Sequence, residues 1–132
     1  MKFAAALLLA AASSLVAAAD SLEAPLAAAG DAQRGRDVFV QREQGHCVIC
    51  HVVAGIVPAG NVGPALDGVG GRLSAGQLRQ RVVDITQVKP DAAMPAFHRS
   101  TGLNRVAAAY AGKILLDAQQ VEDLVAFLGG LK

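Results

Sequence analysis

The stretch Gly45-His46-Cys47-Val48-Ile49-Cys50-His51 sets two thiols and an imidazole at a Cys-x-x-Cys-His spacing. That spacing is the attachment signature of a c-type haem: two thioethers to the porphyrin and an axial nitrogen for its iron. On one helical turn, positions i, i+3 and i+4 share a face. Cys47 and Cys50 can therefore reach the haem vinyl groups while His51 lies under the metal as proximal ligand. These are the only two cysteines in the chain. A structural zinc site wants four ligands, typically from two separated pairs, and no second cluster of cysteines exists. A thioredoxin-like dithiol belongs in a βαβ setting, and the chain has no convincing strand pattern.

An electron-transfer haem normally takes a side-chain ligand on each side of its iron, and Met/His ligation raises the potential. Apart from Met1 the chain has one methionine, Met94, followed by Pro95, which restrains the backbone beside it. Met94 is the expected distal ligand; the plainer alternative is a methionine filling a core gap. His98 competes for the same position. His46 is expected at the surface near the haem edge, unable to reach the open axial face. Metal-bound histidines usually donate their second N–H to a carbonyl or carboxylate, and Asn61-Val62-Gly63-Pro64-Ala65-Leu66 offers a rigid turn at a suitable remove.

These groups need elements to position them. Asp31 caps a predicted helix running to about Gln44 and ended by Gly45, with Gly35, Val38 and Phe39 on one face. Residues 52–71 are rich in Gly, Val and Pro; so long an irregular stretch makes sense wrapped around a prosthetic group rather than free. Ser74-Ala75-Gly76-Gln77 reads as a capping box, opening a helix in which Leu78, Val82 and Ile85 share a face. Pro90 is expected to stop it. The last helix takes Asp117 as cap and Gln120 at its third position. Val121, Leu124, Val125 and Leu128 follow at helical spacing, and Gly129-Gly130 closes it. The fold class is all-α, one domain, without internal repeat.

The first 19 residues, with Lys2, an alanine-rich apolar run and Ala17-x-Ala19, read as a secretory signal peptide. The run is too short for a good membrane span. Cleavage is expected near Ala19, with Ala29 as a second choice. Residues 20–30 then form a flexible leader, and 31–132 the monohaem domain. The expected compartment is the periplasm, where Cys47 and Cys50 must be kept reduced for attachment. The 12 basic and 11 acidic side chains nearly balance, and no basic tract points to nucleic acid. Aromatic residues are few and Trp is absent. A small domain struggles to build a sufficient core, and a porphyrin supplies the missing apolar bulk.

Gly63-Pro64-Ala65-Leu66-Asp67-Gly68-Val69-Gly70-Gly71-Arg72 resembles the G-P-x-L-x-G-x-x-G-R run of class I cytochromes c. The resemblance implies that the Pro64 carbonyl accepts the axial histidine's N–H and that Arg72 helps hold a haem propionate. Gly35 and Phe39, with Leu124 and Phe127, match the family's close crossing of N- and C-terminal helices. A narrower resemblance covers nearly the whole mature chain. Residues 61–64, 71–79, 94–97, 102–107 and 118–128 are similar to the SoxX family, the monohaem subunits of thiosulfate-oxidising SoxAX complexes. It implies one covalent haem c, a larger SoxA-like haem partner, and transient contact with a SoxYZ-like carrier and an electron acceptor. It also implies a part in oxidatively joining thiosulfate to a carrier-protein cysteine, an L-cysteine S-thiosulfotransferase reaction. Lacking a spare cysteine, this chain would have no catalytic residue of its own and would accept electrons.

One segment stands out without the resemblance. Residues 103–116 carry Leu103, Val106, Tyr110, Ile114, Leu115 and Leu116, which is apolar for a loop. They form either a satellite core under the haem or a partner surface with Arg105, Tyr110 and Lys113 as contacts. A free diffusible class I electron carrier is the alternative function. A ligand-binding or peroxidatic haem with an open iron site is a third, and Met94 argues against it.

Overall fold

The structure is a computed structural model that describes residues 22–132; the predicted signal peptide lies outside them. Asp31 accepts from the Arg34 N–H at 2.8 Å and starts helix α1, Ala32–Val40. The helix stops short of the predicted Gln44. Gln41 is extended, and the chain folds back so that Gly45 N donates to Val38 O at 3.0 Å. His46 takes a left-handed conformation, φ 46°. The helix-favouring side chains of residues 41–44 are overridden by this return, which packs Gly45 between Val38 and Cys47.

Helix α2, Val69–Arg72, is a single turn inside the stretch expected to be irregular. Gly70 N donates to Leu131 O at 2.9 Å, and a Cβ on Gly70 would lie 2.2 Å from Gly129 O. Helix α3, Ala75–Asp84, opens on the predicted box, with both Ser74 and Gln77 bonded. It ends well before Pro90, because the Asp84 side chain turns back to cap Thr86 N and a 3-10 turn, Ile85–Gln87, follows. Leu78 and Val82 are buried and Ile85 half-buried. Helix α4, Ala118–Gly130, has the second capping box, Asp117 with Gln120. A third 3-10 turn, Ala108–Tyr110, completes the elements after Cys47–Ile49. Among the described residues no strand forms, and no helix is long and apolar enough to cross a membrane.

The main contact is α1 across α4. A Cβ on Gly35 would sit 1.9 Å from Asp123 O and 2.8 Å from Phe127 Cβ, so glycine alone lets the backbones meet. Phe39 packs against Phe127 with ring centroids 5.4 Å apart, tilted by 54°. The sequence pairing of Gly35 and Phe39 with the last helix is thus physically realised.

Residues 22–31 are not a loose leader; they are strapped to the helices. Leu22 N donates to Gly76 O at 3.0 Å, Leu26 N to Glu122 Oε1 at 2.9 Å and Asp31 N to Asp123 Oδ1 at 2.8 Å. Arg79, buried in α3, grips Glu122 through Nε and Nη2 and donates to Leu22 O through Nη1 at 2.6 Å. Arg34 grips Asp123 in the same two-point fashion. A buried carboxylate is tolerated only when its acceptor sites are met, and the strap helps meet them.

Candidate functional site

The Cys-x-x-Cys-His residues lie on the 3-10 turn Cys47–Ile49 and its continuation. His51 N donates to Cys47 O at 2.9 Å, so the three reactive side chains share one turn. Both cysteines are half-buried and form no disulfide with each other. Burial pushes the Cys47 thiol up to about 12. That holds the thiol away from the thiolate, the form that exchanges disulfides and ligates metals. Among the described residues no three His, Cys, Asp or Glu side chains gather as a metal-ion site.

The irregular segment after His51 is laced to this turn. Gly60 N donates to Val48 O and Gly63 N to Cys50 O, each at 2.8 Å, and Leu66 N to Val52 O at 2.9 Å. A Cβ on Gly60 would stand 2.0 Å from Ile49 O. The lacing carries the Pro64 carbonyl to 2.8 Å from His51 Nδ1. A carbonyl can only accept, so Nδ1 holds the ring proton and Nε2 keeps its lone pair for a metal. Gly63 lies flat on the imidazole: a Cβ there would be 2.4 Å from Cε1 and 2.7 Å from Nδ1. Sequence reading placed Gly63 in a rigid turn but did not see this contact, which arises from a fold-back of the chain.

Cys47, Cys50, His51 and Met94 line one cleft of about 2080 Å³. Its apolar floor includes Phe39, Leu78 and Val82, with Leu124 and Leu128 from α4. The volume is well above the roughly 300–1,000 Å³ of a usual small-molecule pocket. Two free thiols, a metal-ready imidazole, a thioether and an apolar floor fit a porphyrin. His98 does not line the cleft: its Nδ1 is bonded to Leu116 O at 2.7 Å and its N–H to Val83 O. His46, half-buried, does line it. Arg72 also lines the cleft, curled over Gly68 with Nη1 donating to Asp67 O at 2.8 Å. Residues 104–114 are exposed, Tyr110 by 55% and Ile114 by 50%. Leu103, Arg105, Val106, Tyr110 and Lys113 of this segment line the cleft, and burial resumes at Leu116.

The profile of the cytochrome c family matches residues 32–132. A solved structure of SoxXA from P. pantotrophus contains a similar chain, 34% identical with a TM-score of 0.77. The match covers 86% of this chain and 90% of that one. The c-type cytochrome SorU from Sinorhizobium meliloti shares the fold at 21% identity and a TM-score of 0.50, over 75% of this chain and 87% of its own. A search of curated proteins returned no match.

Proposed function

The chain belongs to the cytochrome c family as a SoxX-like, all-α cytochrome with covalent haem c, and we propose that it is the electron-accepting monohaem subunit of a periplasmic SoxAX-type complex. That complex would couple thiosulfate oxidatively to a cysteine of a SoxYZ-like carrier. The observation that carries the reading is the similarity to a chain of SoxXA along 86% of this sequence. It is joined by an exposed apolar and basic segment that belongs to the same cleft, with Arg105, Tyr110 and Lys113 all on its lining.

When bound, haem c supplies a one-electron ferric/ferrous couple. The geometry supports a role for each site residue of this chain. Cys47 and Cys50 anchor the group through thioethers. His51 ligates through Nε2 while Pro64 O holds Nδ1–H, which fixes the ring and raises its basicity. Met94, on the lining of the same cleft, would hold the group through its thioether, and Arg72 would offer its free guanidinium nitrogens to a propionate. The apolar floor excludes water, which favours a small charge rearrangement on electron transfer. With both cysteines in thioethers, no thiol is left to carry sulfur, so the coupling chemistry belongs to the partner.

Isolation of the native chain from periplasm, with haem staining of what accompanies it, tests the reading. A stoichiometric larger haem protein is the expected companion. Recovery as a lone monomer would instead identify a diffusible carrier.

A further inference from the structure

Between Met94 and α4 the chain makes one exposed excursion whose ends meet. Phe97 N donates to Val82 O at 3.3 Å and His98 N to Val83 O at 3.1 Å, both on the last turn of α3. Phe97 O accepts from Leu115 N at 3.0 Å and from Leu116 N at 2.9 Å. Residues 99–114 therefore form an Ω-type loop with a stapled neck. Beyond the neck, the hydrogen bonds of residues 103–114 stay inside the loop: Tyr110 N to Ala107 O, Ala111 N to Ala108 O and Lys113 N to Tyr110 O.

One side chain braces this loop against the domain. Arg99 Nη1 donates to Asp84 Oδ2, and Nη2 donates to Gly102 O at 2.7 Å, where the backbone turns at φ 66°. Asp84, with only 4% of its side chain exposed, also accepts from Thr86 N, Thr86 Oγ1 and Gln87 Nε2. Its acceptor sites are filled, so it is a fixed socket at the end of α3. Met94 stands just before the neck. Among the described residues, no backbone N–H from Ala93 to Ala96 makes a backbone hydrogen bond. The placement of Met94 is thus referred to Phe97 and Arg99.

Resting on the functional reading for the partner and for Met94 ligation, we propose that Arg99 is a positioning residue. Through it the exposed loop and the methionine loop share one braced neck, so that a partner covering the loop steadies Met94 on the iron. Any such coupling is reciprocal: a ligand that displaces Met94 weakens the partner's hold by the same factor.

Imidazole titration of the ferric holoprotein reads this directly, because imidazole binds when Met94 leaves. In the isolated subunit Arg99→Ala should tighten imidazole at least about tenfold, a usual coupling size, and Arg99→Lys should fall between. Arg34→Ala, which breaks the ion pair to another buried aspartate, Asp123, should leave imidazole affinity within about twofold. In the complex, wild-type affinity for imidazole should weaken at least about fivefold, and Arg99→Ala should lose that ratio. A partner that merely blocked imidazole would keep the ratio in the variant and overturn the proposal. So would Arg99→Ala binding imidazole like wild type, or Arg34→Ala tightening it equally. If Arg99→Ala fails to load haem, Arg99→Lys decides: tighter imidazole binding than wild type is expected, and binding like wild type overturns the proposal. Failure to form any complex counts against the functional reading, and the isolated-subunit titrations still decide the role of Arg99.

Discussion

Gly63→Ala places one methyl group against the proximal imidazole. Gly63 has no left-handed φ, so the backbone itself accepts alanine. The new Cβ would lie 2.4, 2.7 and 2.9 Å from His51 Cε1, Nδ1 and Nε2. Comfortable carbon contacts need about 3.5–4.0 Å, so roughly 1 Å of movement is required. The loop cannot easily give, since Gly63 N is bonded to Cys50 O at 2.8 Å. The ring must shift, and its 2.8 Å bond to Pro64 O weakens. That bond polarises the imidazole toward the anion and favours the ferric state, so its loss raises the potential. A net hydrogen bond is worth about 0.5–1.5 kcal/mol, and a one-electron couple moves about 59 mV per tenfold. The expected rise is therefore about 20–65 mV. Spectroelectrochemical titration measures it, with Gly71→Ala as control, since nothing lies within 4 Å of a Cβ there. A fully loaded Gly63→Ala protein whose potential stays within about 10 mV of wild type, well under that range, refutes the argument that Gly63 seats the ring.

Further outcomes are expected. Met94→Ala should abolish the weak near-infrared sulfur-to-iron band of the ferric protein; persistence of that band would remove Met94 from the iron. Gly35→Ala should destabilise by at least about 1–3 kcal/mol, as overpacking does, despite alanine's better helix propensity. Denaturant unfolding measures this, and an unchanged midpoint would mean that the α1–α4 crossing is looser than described. Arg34's two-point hydrogen bond, ahead of the Asp31 and Gln119 donors, holds the Asp123 carboxyl down to about 2. A depressed carboxylate contributes stability above its unfolded value and loses it as pH falls through the folded one. Stability should therefore drop between about pH 4 and pH 2, and Asp123→Asn should flatten that part of the profile in acid unfolding. Tyr110→Ala and Arg105→Ala should each weaken capture of the large haem subunit by about 1–3 kcal/mol and leave the isolated spectrum unchanged; undiminished capture would move the partner surface elsewhere.

What the sequence discloses is chemistry and local geometry. Cys47, Cys50 and His51 announce their use by spacing. Ser74 with Gln77, and Asp117 with Gln120, announce helix starts, because a cap is settled within four residues. The end of α1 was not legible, since Gln41 to Gln44 favour helix by propensity while the return of Gly45 onto Val38 overrides them. The strap was not legible either: Arg79, Glu122 and Leu22 meet only in three dimensions. Apolar residues at 103–114 suit either core or partner surface by sequence, and the neck at Phe97 that sets the loop beside the cleft forms only in three dimensions.

The strap also bears on the order in which the domain comes together. Leu26 meets Glu122, Asp31 meets Asp123 and Arg34 meets Asp123 across 96, 92 and 89 positions of chain. His51 and Pro64 meet across 13. Synthesis proceeds from the N-terminus, and short loops close sooner than long ones. The histidine cradle can therefore form while its distant lid, α4, is still to arrive. Leu124 and Leu128 then close the floor of the cleft beside the half-buried Cys47 thiol. Haem attachment would then be easiest before that closure, while both thiols are still open.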